Sequence, residues 1–396
     1  MTMAINSGKA VIFGAGNIGR GFLAQLFHES GLEVVFVDVV EPIIQAINAR
    51  GSYPIYIVGK GAGDILIDRI RAINVHDVGA VANEVADAAI AATAVGARAL
   101  PFIVEPIRRG LQIRMKKGGG PLNIIIAENL HGAAEVFRGY LRGDEKEDPD
   151  WLKATGTAHA VVSRMVPIQT EEERRVNPLA VRVEAYKRLP IDGAAIVGKL
   201  PPLVGVEPVM NFEAHEARKL YIHNCGHALI GYLGSRRGHV YGHTALEDPY
   251  VRKTLDRALS AVSEALIIRF GFEASEQRAH VADLLERFAN RELGDTVQRL
   301  ARDPIRKLGA EDRIVGAARL VESTGVKMEG LPFGIAAALL YFDHEDPSAM
   351  ELQRKISDIG VRATLNEISE IKPGEPLGVA VLHAFEQLQS GNFDIL

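Results

Sequence analysis

The stretch Lys9-Ala-Val-Ile-Phe13-Gly14-Ala15-Gly16-Asn17-Ile18-Gly19-Arg20-Gly21 decides the fold. Its first five residues have the pattern of a short buried strand, and a helical pattern runs over 22–30, closed by Gly31. Between them stands Gly-x-Gly-x-x-Gly, which alone marks many turns. Here it has a strand before it and a helix after it. An acid also lies 19 residues beyond Gly19, at the end of the apolar strand Glu33-Val-Val-Phe-Val-Asp38. That context gives each glycine a task. Gly14 permits the tight turn, Gly16 lets backbone N–H groups approach a pyrophosphate, and Gly19 lets the helix pack close to the strand. The helix N-terminus favours phosphate charge. Asp38 is placed to accept the adenosine ribose hydroxyls and to repel a 2′-phosphate. Val39 and Val40 follow it, with no arginine to welcome that phosphate, so the expected cofactor is NAD.

The rest of the first half continues the strand–helix alternation. A helix over 41–50 stops at Gly51, and 53–58 has the pattern of a strand in a short insertion. An apolar strand over 88–94 ends in Thr93-Ala94-Val95-Gly96, a small-residue turn that lies along the dinucleotide in such folds, or is a plain loop. A helix over 99–116 follows, and a strand over 122–127 delivers Glu128-Asn129 to the same edge, where an Asn also serves as a helix cap. Segments 158–168 and 181–186 are expected as strands, with 169–175 a charged hairpin or loop between them. From about Asn211 the spacing turns helical, with helices expected over 211–235, 248–271, 274–290, 311–323, 333–342 and 345–358. The expected architecture is an α/β Rossmann-type doubly wound sheet over 1–200 and an all-helical domain over 201–396.

Composition narrows the function classes. A chain of 396 residues, 47% hydrophobic and 24% charged, suits about two globular domains. A net charge of -5 gives no basic excess to attract nucleic acid or an anionic membrane. The single cysteine, Cys225, excludes an intrachain disulfide and a cysteine-based zinc site, and fits a reducing, cytoplasmic setting. No apolar run approaches the ~20 residues that span a bilayer, and 1–9 lacks the apolar stretch of a signal peptide.

A second stretch carries the chemistry: Lys219-Leu-Tyr-Ile-His223-Asn224-Cys225-Gly-His227, followed by an apolar run to Gly234. As a regular α-helix it puts Lys219 at zero, His227 near ~80° and Asn224 near ~140°, on one face. A lysine held among apolar neighbours loses its proton more readily and can act as a base near neutral pH. Asn224 offers an amide N–H to a developing alkoxide. The same spacing also suits a core-facing helix with a snorkelling lysine. Five of the 12 histidines fall between His215 and His243, and His223/His227 and His239/His243 have zinc-chelating spacing. His-Glu-x-x-His is absent and no strong third ligand is evident, so no metal site is expected.

These two motifs together resemble the mannitol dehydrogenase family, the polyol-specific long-chain dehydrogenases and reductases, over nearly the whole chain. Arg306-Lys-Leu-Gly-Ala-Glu-Asp-Arg313 and Gly334-Ile-Ala-Ala-Ala-Leu339 are similar to later family segments. The resemblance implies zinc-independent, NAD-dependent hydride transfer between D-mannitol 1-phosphate and D-fructose 6-phosphate. It makes Lys219 the general base, Asn224 and Asn129 the alkoxide-stabilising pair, and His227 the residue orienting lysine or substrate. It assigns Phe13, Gly14, Ala15, Gly16, Asn17, Ile18, Gly19, Asp38, Ala94, Val95 and Glu128 to the cofactor. Arg299, Lys307 and Arg164 go to the substrate. One departure is Ser163, where the family usually has Asp before Arg164. Alternatives are a relative acting on an unphosphorylated polyol or a sugar acid such as mannonate or fructuronate, and a non-catalytic dinucleotide-binding regulator. The expected partner is a small-molecule substrate, in a monomer or small homo-oligomer.

Overall fold

The structure is a computed structural model and describes residues 8–167 and 169–393. Its strands are β1 (Lys9–Phe13), β2 (Glu33–Asp38), β3 (Tyr53–Val58), β4 (Gly63–Ile67), β5 (Ile70–Asn74), β6 (Ile90–Thr93), β7 (Leu122–Ile126), β8 (Thr155–His159), β9 (Val181–Glu184), β10 (Leu189–Asp192) and β11 (Val206–Val209). Two compact units divide the chain, Met1–Phe212 and Glu213–Leu396, where the sequence places the change of texture near residue 200.

In the first unit six strands pair in the order β5-β2-β1-β6-β7-β8, all parallel. Parallel strands need helical crossovers, which cover both sheet faces and let every second residue enter a different core. Along β1, Ala10 and Ile12 join one core with Phe22, Phe27 and Phe36. Val11 and Phe13 join the other with Val35, Val81 and Ile107. The order reverses between β1 and β6, the switch point outside which such sheets hold their ligands. The insertion forms a β3–β4 hairpin with β9 added parallel to β3, and β10 and β11 pair separately.

Two expectations are corrected here. The strand expected over 158–168 ends at His159, because other partners take the following backbone groups: the Val161 N–H donates to Pro190 O, and Glu184 and Met165 bond each other. Ile168 lies outside the described residues. The charged segment after it is the helix Glu171–Val176, closed by a capping box in which Thr170 and Glu173 satisfy each other's backbone N–H groups.

The second unit is helical. Phe212–Arg218, Lys219–Asn224 and Cys225–Arg236 run on as one helix, with Pro249–Phe270, Ala274–Phe288, Val315–Ser323, Leu331–Leu339, Pro347–Ser369 and Pro376–Gln389 as its other long members. Glycines let neighbours approach the first of these closely. A Cβ on Gly231 would stand 2.7 Å from the backbone of Leu300 and Ala301, and one on Gly334 would stand 1.9 Å from Leu229. Among the described residues no helix is long and apolar enough to cross a membrane.

Candidate active site

In the first unit the glycine loop leaves β1 under backbone constraint. Gly14 has φ +99°, and a Cβ there would stand 2.4 Å from Ala94 O. A Cβ on Gly19 would stand 1.9 Å from Gly14 O. Gly16 differs: it is exposed, and a Cβ there would meet nothing within 4 Å. Asp38, at the end of β2, accepts the Ala15 N–H at 2.6 Å through Oδ2 and the Val39 and Val40 N–H groups through Oδ1. Its carboxylate therefore braces the loop it is expected to serve. Glu128, at the end of β7, does the same for the turn after β6. It is buried, accepts from the Thr93 hydroxyl and, at 3.0 Å, from the Val95 N–H, and burial pushes its carboxyl above the usual range. Phe13, Ala94 and Val95 lie at the same sheet edge, the exposed Gly16 and Asn17 stand above it, and Ile18 is half-buried. Asn129 follows Glu128 and is exposed.

Arg164 is buried, its Nε donates to Glu184 O at 2.8 Å, and its Nη1 donates to Gly21 O and Gln25 Oε1. It ties the helix after the glycine loop to β9.

In the second unit Lys219–Asn224 is a π-helical turn, not the regular α-helix whose 100° spacing put Lys219, Asn224 and His227 on one face. Such turns break the i→i+4 ladder and recur at functional sites. Lys219 opens the turn and is half-buried; burial, then the Arg313 guanidinium, lower its pKa to about 8. Asn224 closes the turn, half-buried. His227 lies on the ring of Phe288, with centroids 4.0 Å apart, and burial, then the positive charge of Arg299, lower its pKa to about 3. His223 is buried beside it, the two rings crossing at 81°. His239 lies 3.3 Å from Asp248, and His243 stacks on Tyr241. Among the described residues no group of three or more His, Cys, Asp or Glu side chains could hold a metal ion.

Cations surround this turn. Arg299 pairs with Asp295 at 2.9 Å. Lys307 is buried, donates from Nζ to Leu300 O at 2.6 Å, and has its pKa lowered to about 7 by burial and then by Arg313. Arg313 pairs with Asp312 at 2.6 Å. A Cβ on Gly316 would stand 2.8 Å from the Tyr221 ring, so the segment carrying Arg313 lies against the π-helical turn. Sequence spacing points to neither Arg313 nor Asp295 as part of this cluster; the one signal for Arg313 is its place at the end of the family-like segment 306–313.

A parallel sheet with a phosphate-ready glycine loop, followed by a helical unit carrying a lysine with a lowered pKa, defines the class of two-domain dehydrogenases. The family model described as the mannitol dehydrogenase Rossmann domain matches residues 8–205, and that described as the mannitol dehydrogenase C-terminal domain matches 211–389. The chain belongs to the mannitol dehydrogenase family and is an oxidoreductase. It is 37% identical to a mannitol-1-phosphate 5-dehydrogenase of Oceanobacillus iheyensis, over 96% of this chain and 99% of that one. It is 33% identical to one from Geobacillus stearothermophilus, over 96% and 100%. In fold it is similar to the ternary complex of Pseudomonas fluorescens mannitol 2-dehydrogenase with NAD and D-mannitol (TM-score 0.75, 18% identity, 99% and 94% covered). It is also similar to a substrate-free D-sorbitol dehydrogenase (TM-score 0.80, 17% identity, 98% and 95% covered).

Proposed function

We propose that this enzyme interconverts D-mannitol 1-phosphate and D-fructose 6-phosphate with NAD, using Lys219 as the general base. The observation that carries the reading is Lys219 itself, a lysine whose pKa of about 8 lets it both accept and return a proton near neutral pH. Full-length similarity to mannitol-1-phosphate 5-dehydrogenases supports the substrate.

The residues present fit NAD. The open space over Gly16 suits a pyrophosphate, and the fixed carboxylate of Asp38 suits ribose hydroxyls while repelling a 2′-phosphate. Phe13 to Gly19, Asp38, Ala94, Val95 and Glu128 would hold it. When bound, NAD supplies the acceptor for the hydride of the carbinol carbon. In oxidation, neutral Lys219 takes the hydroxyl proton at Nζ. Asn224 and Asn129 donate to the oxygen as negative charge grows on it. His227, neutral at every working pH, orients without competing for the proton. In reduction, the Lys219 ammonium returns the proton to the oxygen. Arg299, Lys307 and Arg313 bring positive charge suited to a phosphate ester.

The test is NADH consumption by the purified enzyme with fructose 6-phosphate, fructose and fructuronate in turn. Fructose 6-phosphate should exceed fructose by at least ~100-fold in kcat/KM, since charge-assisted bonds are worth roughly 1.5–3 kcal/mol each. NADPH should serve poorly. Faster turnover of fructose or fructuronate would overturn the phosphate assignment and make Ser163 the leading clue to the true substrate.

A further inference from the structure

Buried side-chain nitrogens are usually hydrogen-bonded, yet Nε2 of His227 is buried and has no hydrogen-bond partner among the described residues. Asp295 Oδ2 stands 3.9 Å from it, too far for a hydrogen bond and near enough to act by charge. The other oxygen, Oδ1, pairs with Arg299 Nη2 at 2.9 Å. The backbone holds Asp295 in place. Its C=O accepts the Gly242 N–H at 2.8 Å, Thr296 forms an antiparallel bridge with Tyr241, and the Val297 N–H donates to Val240 O. The Thr296 hydroxyl then caps the helix that carries Arg299. A nearly buried carboxylate is thus delivered to a fixed point between an imidazole and a guanidinium.

We propose that Asp295 is a positioning residue that fixes His227 as its Nε2–H tautomer and holds the fork of Arg299, so that His227 meets substrate as a hydrogen-bond acceptor through Nδ1. This rests on the reaction proposed above. The imidazole is neutral, because burial and the charges of Arg299, Arg287, Lys307 and Arg313 all oppose its protonation. One proton must therefore be placed on one of two nitrogens. On Nδ1 it leaves the Nε2 lone pair facing a carboxylate in a buried place. On Nε2 it points an N–H dipole at that carboxylate. The second arrangement is electrostatically favoured. The ring keeps 18% of its side-chain surface accessible although Nε2 is buried, so the accessible part lies away from Nε2. An acceptor there can take a hydrogen bond from a polyol hydroxyl or from the Lys219 ammonium and orient either one.

The tautomer is read directly from nitrogen chemical shifts of the resting full-length enzyme labelled with 15N-histidine, the His227 signals being those lost in His227→Asn. Wild type should show the Nε2–H pattern, and Asp295→Asn should lose it while the thermal midpoint stays put. Should the Asn variant fail to fold, Asp295→Ser removes the same charge and carries the same expectation. With fructose 6-phosphate, Asp295→Asn should lower kcat/KM by roughly 10–100-fold, as expected when the orienting partner of a histidine is lost. In the His227→Asn background the added loss in kcat should be under ~3-fold, because a positioning residue then has nothing left to position. A wild-type Nδ1–H pattern, a tautomer indifferent to the loss of Asp295, or fully additive losses in kcat would each overturn the proposal. If fructose 6-phosphate is not turned over, the spectrum still decides the tautomer, so the two readings fail separately.

Discussion

Two π-helical turns, Gly19–Leu23 and Lys219–Asn224, stand at the two places that matter in this molecule, and they differ in what holds them. The first follows a loop governed by backbone sterics. Gly14 needs its left-handed φ, and Gly19 has no room for a methyl, so residue type alone reports the geometry. The second carries side-chain chemistry whose setting comes from elsewhere in the chain. The lowered pKa of Lys219 owes its main part to burial and a further part to Arg313. Phe288 and Asp295 frame His227. A loop shaped by backbone sterics is thus written locally, whereas a lysine with a lowered pKa is written as an identity whose environment only the packed chain supplies.

Lys219→Ala tests the second turn most severely. Loss of a positioned base should cut kcat for mannitol 1-phosphate oxidation by roughly 10²–10⁴-fold. With a pKa of about 8, the neutral amine grows as pH rises through 8, so wild-type oxidation should climb to a plateau above it. Reduction needs the ammonium and should fall over the same range. Both limbs should be missing in the variant, while its NADH dissociation constant barely moves. A variant that keeps most of its kcat and an unchanged pH limb would remove Lys219 from the chemistry.

The same contrast explains what the sequence reveals and what it hides. β1, the glycine loop and β2 are legible because apolar runs and glycines report sheet burial and turn geometry directly. The strand expected over 158–168 is too long because Glu184 and β10, distant in sequence, take its backbone groups. Glu171–Val176 buries none of its residues and so shows no apolar period, although Thr170 and Glu173 spell its cap. Pro376–Gln389 lies beyond the last helix expected from the sequence, and its Gly378 is required by packing, since a Cβ there would stand 2.2 Å from Lys372 O. The bonds of Arg164 to Gly21, Gln25 and Glu184 are hidden too, because all three partners lie at least 20 residues away. At the site, the identities of Lys219 and His227 are legible, but the π-helical turn and the parts of Arg313 and Asp295 are not.

On the cofactor side, two single methyls should behave oppositely. Gly16→Ala meets no protein atom, so the thermal midpoint of the free enzyme should hold while NADH affinity falls roughly 10-fold or more, the methyl standing where a phosphate approaches. Gly19→Ala pushes against Gly14 O and should destabilise the free enzyme by about 1–3 kcal/mol. Thermal melting without cofactor and a fluorescence titration with NADH separate the two. Unimpaired NADH binding by Gly16→Ala would mean the open space over that glycine is not the phosphate site.

A last test asks whether Lys307, like Lys219, loses its proton near neutral pH in the fold. In the unfolded chain its pKa has the ordinary value of 10.5, and in the fold it is about 7. Below pH 7 the lysine is charged in both states, and the folded state bears the full penalty of a buried ammonium. Between 7 and 10.5 the folded state sheds the proton that the unfolded chain keeps. The unfolded state then binds more protons, and stability rises with pH. Lys307→Met lacks that gain. It also leaves Leu300 O without its donor, a loss of about 1–3 kcal/mol at every pH. Relative to wild type the variant should therefore fare best near pH 6 and worst near pH 10, the difference moving by something of order 3–5 kcal/mol. Lys219 contributes the same slope above pH 8 in both proteins and cancels. Trp151, the single tryptophan, belongs to the first unit, so hydrogen exchange of amides in the second unit is the appropriate readout. A stability difference that ignores pH would mean Lys307 keeps its charge in the fold, and would return it to the substrate as a full-time phosphate anchor.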